Sequence, residues 1–238
     1  MIAVFVNTAT VLLGSLLGIL FRNRLKESLQ NALIRALGLC TLVIGVSGAI
    51  QTQALLCVIL SLVLGTLLGE CLRIDDGIEH AGEAIRQKLM RSGAGESRFT
   101  EGFVSACILF CIGSMTIVGS LEAGIHHDYS ILYAKSALDL ISSMAFGAAM
   151  GFGVTCSAAF VLVFQGALVM LASLVGPALS TTVVTEMSAV GGTILIGMGL
   201  NMLGAVRDRI RVANMLPAIF LPLLYFPIAD WLSRLFVS

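Results

Sequence analysis

ILYAKSALDLISSMAFGAAMG, Ile131 to Gly151, decides how the chain is read. At about 1.5 Å of rise per residue the stretch is long enough to cross a hydrocarbon core of about 30 Å. It nevertheless carries Lys135 and Asp139 four residues apart, followed by Ser142 and Ser143. A charge at the centre of a membrane helix costs roughly 2.5 to 3.5 kcal/mol on insertion scales, so it persists where it faces protein, water or a ligand. On a helix, Lys135, Asp139, Ser142, Ser143, Phe146 and Met150 share a stripe, because positions three and four apart lie on one face. Asp139 falls roughly 12 Å below the outer end, near the midplane. Two readings stay open: an internal ion pair that pins a bundle together, or a solute-facing carboxylate with Lys135 as its counter-charge.

The surrounding composition is that of a membrane protein. Of 238 residues 58% are hydrophobic and 12% charged, with a mean hydropathy of +1.00, a balance that a soluble domain of this size does not keep in solution. With zero formal net charge nothing argues for nucleic acid as a partner, and none is expected. The six cysteines lie in apolar runs and read as reduced, small hydrophobes.

Windows of about 19 residues yield an all-α fold, a polytopic transmembrane bundle of about eight spans. They are Ala3–Phe21, Leu33–Ile50, Ala54–Cys71, Phe103–Leu121, Ile131–Gly151, Thr155–Val175, Ala189–Val206 and Leu216–Leu235. Together they form one integrated membrane domain: helices one to three within 1–72, a cytoplasmic amphipathic helix and linker at 73–98, and helices four to eight within 99–238. Arg22, Arg24 and Lys26, then Arg73 to Arg98, then Arg207, Arg209 and Arg211 fall in alternate loops, and the opposite loops lack Lys and Arg. Positive charge marks cytoplasmic loops, which puts both termini outside. In the 73–98 segment acidic residues crowd the start and basic ones the end, the sense that the helix dipole favours, and Ser92–Ser97 reads as a flexible joint.

Glycines four apart recur: Gly14 and Gly18, Gly65 and Gly69, Gly147 and Gly151. This spacing leaves a groove for a close helix neighbour, and its repetition points to duplicated hairpins, an internal repeat. A second candidate stretch is TTVVTEMSAVGGTILIGMGLN, Thr181 to Asn201. Here Glu186 would sit at an outer entry, the pair Gly191 and Gly192 permits an unwound segment, and Asn201 could bond across to Asp139 or Lys135. The alternatives are a tight packing site with a solvated Glu186, and Asn201 as interhelical glue. Asn7, Thr8 and Thr10 give the first span a polar outer half. Cys107 and Cys111 lack a nearby third metal ligand, and His126, His127 and Asp128 read as a solvated turn. With no nucleotide loop, zinc-protease helix or serine elbow, neither an enzyme nor a cofactor is expected.

The segments IGSMTIVGSLEAGI (Ile112–Ile125), LYAKSALD (Leu132–Asp139), TEMSAVGG (Thr185–Gly192), IGMGLNMLG (Ile196–Gly204) and IRVANMLPA (Ile210–Ala218) resemble the YqgA/YdfK-type family of bacterial inner-membrane proteins, which carry a domain of unknown function. The resemblance covers nearly the whole chain. It implies an inner-membrane location and draws attention to Lys135, Asp139, Glu186, Asn201, Asn214 and Pro217. The resulting expectation is a small secondary transporter or channel for an inorganic cation or a proton-coupled small solute, assembled as a homo-oligomer in the lipid bilayer. Its pathway residues would be Lys135, Asp139, Ser142, Ser143, Glu186 and Asn201. The alternative is a non-transporting sensor, scaffold or accessory subunit.

Overall fold

A computed structural model describes residues 1–22, 26–89, 96–111, 114–175 and 180–236. The described chain is all-helical. In order it forms α1 (Ile2–Arg22), α2 (Glu27–Ala49), α3 (Leu55–Leu72), α4 (Ile74–Leu89), α5 (Glu96–Cys111), α6 (Ser114–Ile125), α7 (Ser130–Met150), α8 (Phe152–Val175) and α9 (Thr181–Leu203). A 3-10 segment (Val212–Phe220) and α10 (Pro222–Phe236) close it.

Five of these helices, α1, α2, α3, α8 and α9, are long and apolar enough to cross a membrane, and counting two bent pairs as one span each raises the number to seven. Two of the expected spans are each divided into a bent pair of helices. Phe103–Leu121 is divided between α5 and α6, which meet at 56° across a break between Cys111 and Ser114 that lies outside the described residues. Leu216–Leu235 is divided between the 3-10 segment and α10, bent by 42°. Pro217 and Pro222 account for the second bend, since each lacks the N–H that would continue an α-helical ladder. Both α5 and α6 pack along α8 in the same sense, with Phe99 beside Gly153 and Val169 beside Gly124. The pair thus runs along α8 in one direction.

The glycine pairs mark where helix backbones meet. A Cβ on Gly14 would lie 2.4 Å from the Leu140 carbonyl oxygen, and one on Gly18 would lie 2.1 Å from that of Met144, so α1 and α7 run parallel in close contact. Gly45 and Gly192 bring α2 and α9 equally near, antiparallel, and Gly65 and Gly69 seat α3 on Ala218 and Asn214 of the 3-10 segment. Small residues gain this dispersion contact where lipid supplies no hydrophobic drive between helices. The same packing overturns the unwound segment: α9 stays helical through Gly191 and Gly192. It starts earlier than expected, at Thr181, where the Ser180 hydroxyl accepts the Val183 N–H at 3.3 Å.

α9 is the most enclosed span, with 78% of its apolar window buried, against 17% for α2. The outward faces of α1 and α3 leave Phe5, Leu13, Leu56 and Leu67 more than half exposed, a surface suited to lipid. Arg73, in the left-handed conformation with φ of 50°, turns the chain sharply from α3 into the amphipathic α4. Of the expected joint, Ser92–Gly95 lies outside the described residues, and Glu96 and Ser97 open α5.

Candidate functional site

The charged pair lies where α1, α7 and α8 meet. Lys135 and Asp139 are 6% and 7% exposed, and the Lys135 ammonium donates to the Asp139 carboxylate across one helical turn. From α1 the buried Asn7 amide lies near Asp139. Asn7 Nδ2 donates to Gln165 Oε1 of α8 at 3.1 Å, and both amides are fully buried. This leaves Asn7 Oδ1 and Gln165 Nε2 without a protein partner. A buried amide acceptor and a buried amide donor thus stand unmatched beside a buried ion pair. Leaving such groups unsatisfied costs about 1 to 3 kcal/mol each, so a water, ion or solute that pairs them is favoured there.

The interrupted span touches the same cluster. Cys111, the last residue of α5, lies within electrostatic reach of both Lys135 and Asp139. Across the break, Thr116 Oγ1 of α6 donates to the Phe110 carbonyl at 3.1 Å, satisfying one of the terminal acceptors that an α-helix leaves open.

The other expected pathway residues divide. Ser143 is buried at the α1–α7 contact, donates to the Leu140 carbonyl at 3.1 Å and faces Gly14; Ser142 is half-buried beside the stripe. Glu186 is neither at a wet entry nor solvated. It is fully buried, accepting from Thr52 Oγ1 at 2.6 Å, from the Gln53 N–H at 2.8 Å and from the Ala54 N–H at 3.1 Å. One carboxylate on α9 thereby fixes the turn that begins α3. Asn201 does not bond across to Asp139 or Lys135. Its amide clasps Ile210, donating to the carbonyl at 2.8 Å and accepting from the N–H at 2.9 Å, which closes the loop after α9.

At the other end of α7, Asp128 accepts from the Ser130 N–H and hydroxyl, which hold its carboxyl below the usual aspartate range; His126 pairs with Glu122 at 2.8 Å. Asn214 accepts the Asp75 N–H at 2.7 Å, tying the first turn of α4 to the 3-10 segment. Burial raises the Asp75 carboxyl, which has one buried oxygen without a partner.

Sequence reasoning singled out Asn7 only as a helix-bonding group and passed over Gln165. The available signal for Gln165 was a lone amide inside the apolar run FVLVFQGALVML, Phe160 to Leu171.

The profile of a family described as "Protein of unknown function (DUF554)" matches residues 2–226. The chain belongs to that family. Among DUF554 relatives, it is similar to the "Uncharacterized membrane protein YdfK" of Bacillus subtilis (strain 168), 29% identical over 220 residues that cover 91% of each chain. It is also similar to the "Uncharacterized protein YqgA" of Escherichia coli (strain K12), 34% identical over 221 residues, covering 91% of this chain and 92% of that one. No solved structure matches the chain. The DUF554 assignment agrees with the YqgA/YdfK-type resemblance read from the five quoted segments.

Proposed function

We propose that this DUF554 protein is a small secondary transporter or channel for an inorganic cation or a proton-coupled small solute, working as a homo-oligomer in the cell inner membrane. The observation that carries the reading is the buried Lys135–Asp139 pair beside the unmatched Asn7 Oδ1 and Gln165 Nε2. Intramembrane carboxylates that face a partner other than lipid are characteristic of ion and proton paths. The Asp139 carboxylate and Asn7 Oδ1 offer hard oxygen donors, which suit a proton, sodium or a divalent ion better than a soft metal. Lys135 neutralises Asp139 when no cation is held and withdraws when one arrives.

An eight-span topology supports the same reading. α7 packs parallel to α1, and counting it with the seven spans that length and composition allow would make eight. Lys135 and Asp139 lower the mean apolarity of α7. An even number of spans keeps both termini on one side, and the Lys and Arg of alternate loops make that side the outer one. The two interrupted spans then fall fourth in each half of the chain, the arrangement in which transporters place discontinuous helices around a site.

The sealed state of the pair favours a second reading. Lys135 and Asp139 are matched to each other and almost wholly buried, as in an architectural clasp of a sensor or accessory subunit. Cation and proton flux into proteoliposomes, measured for the wild-type protein, Asp139→Asn and Asn7→Leu, separates the two. Flux that disappears in both folded variants supports the carrier; the absence of flux for every ion in the wild-type protein leaves the clasp.

A further inference from the structure

Two cavities share a wall, the larger of them reaching as far as Cys111 beside the charged pair. One, of about 580 Å³, is lined throughout by apolar groups and cysteines of α4, α5, α8 and the 3-10 segment, among them Ile78, Phe103, Phe164 and Pro217. Along α5 it extends from Phe103 to Cys111, roughly 12 Å at the helical rise. The other, of about 360 Å³, is polar and lies between α4, α5 and the end of α9. Val104 lines both, and the consecutive residues Ile78 and Glu79 of α4 line the apolar and the polar cavity in turn. The boundary between the two environments is therefore sharp.

The polar cavity is charged in a particular way. Glu79 accepts from Arg209 at 2.9 Å, so these two neutralise each other. Arg207 and Glu101 also line the cavity and have no ion-pair partner among the described residues, leaving one positive and one negative group to receive a ligand. Gly77 supplies an independent observation. It lies within α4 and lines the apolar cavity, a Cβ built on it meets nothing within 4 Å, and it has no positive φ. Neither close packing nor backbone conformation calls for glycine there, although glycine weakens a helix by about 1 kcal/mol relative to alanine. Its missing side chain keeps the cavity wall open.

We propose that the two cavities together form a binding site for one zwitterionic glycerophospholipid, phosphatidylethanolamine in chemical class. An acyl chain fills the apolar cavity and the headgroup occupies the polar one, with its phosphate on the Arg207 guanidinium and its ammonium on the Glu101 carboxylate. Arginine suits the phosphate because its planar fork donates two parallel hydrogen bonds. Water alone does not fill such a site well, since the larger cavity offers it almost no polar partner.

The test uses the full chain in detergent, delipidated and titrated with phosphatidylethanolamine, phosphatidylglycerol, diacylglycerol or free phosphoethanolamine, with bound lipid counted by native mass spectrometry. The expected result is one phosphatidylethanolamine per chain, bound about tenfold more weakly by Gly77→Leu. Arg207→Gln is expected to erase the preference for phosphatidylethanolamine over diacylglycerol, and free phosphoethanolamine is expected not to bind. Equal binding by the wild-type protein and folded Gly77→Leu overturns the site, and equal binding of phosphatidylglycerol overturns the pairing of both charges. Where Gly77→Leu does not yield monodisperse protein, the exposed Arg207→Gln decides: an unchanged lipid preference refutes the proposal.

Discussion

Replacing the buried ion pair tests whether its charges serve the fold or something else. In Lys135→Met the Asp139 carboxylate loses the ammonium that pairs with it, and in Asp139→Leu the Lys135 ammonium loses its counter-charge. Both groups are less than a tenth exposed, so neither recovers hydration in place. Removing one member of such a pair costs about 3 to 5 kcal/mol, whereas replacing both by apolar groups of similar volume is often neutral or better. At about 2 to 4 °C per kcal/mol for a chain of this size, each single variant should melt roughly 6 to 20 °C below the wild-type protein. The double variant should return to within about 1 kcal/mol of wild type. Thermal unfolding in detergent, followed by loss of the monodisperse peak, measures this directly. If the double variant falls by the sum of the two singles, the charges are not coupled as the geometry requires and the reasoning fails. If it is stable and still carries ions at the wild-type rate, the pair is an architectural clasp and has no part in the pathway.

Other substitutions probe separate parts of the structure. Gly69→Ala should destabilise the protein by about 1 to 3 kcal/mol, because its Cβ would lie 1.8 Å from the Asn214 carbonyl oxygen. Gly77→Ala should instead stabilise α4 by up to about 1 kcal/mol, and paired thermal melts compare the two. Glu186→Gln leaves a single acceptor oxygen where Thr52, Gln53 and Ala54 donate, and should cost about 1 to 3 kcal/mol with faster amide exchange at the start of α3. Asp75 follows the linkage for a raised carboxyl: its contribution to α4 docking is complete below the unfolded pKa and is lost as pH rises through the higher folded value. Asp75→Asn should therefore stabilise the protein at neutral pH and flatten that dependence, while the backbone bond to Asn214 stays in place; a pH series of melts reads both effects.

Local sequence spacing was enough for several features, because their cause is local. The i, i+4 relation brings Lys135 onto Asp139 whatever α7 packs against, and the glycine pairs mark close contacts because a missing Cβ leaves a groove on any helix. Hydropathy likewise identified five helices long and apolar enough to cross a membrane, while two further expected spans are each divided into a bent pair, α5 with α6 and the 3-10 segment with α10. What surrounds each polar side chain was decided by tertiary structure. Asn7 meets Gln165 across 158 residues of sequence, Glu186 meets Ala54 across 132, and Asn214 meets Asp75 across 139. An amide or carboxylate in an apolar run signals that it needs a partner, but the partner depends on which helices become neighbours. That choice is made by the summed fit of backbones along α1–α7, α2–α9 and α3 with the 3-10 segment. Glu186 and Asn201 were therefore recognisable as residues with a task, while their roles as anchors of the α2–α3 turn and of the loop after α9 emerged only from the packed bundle.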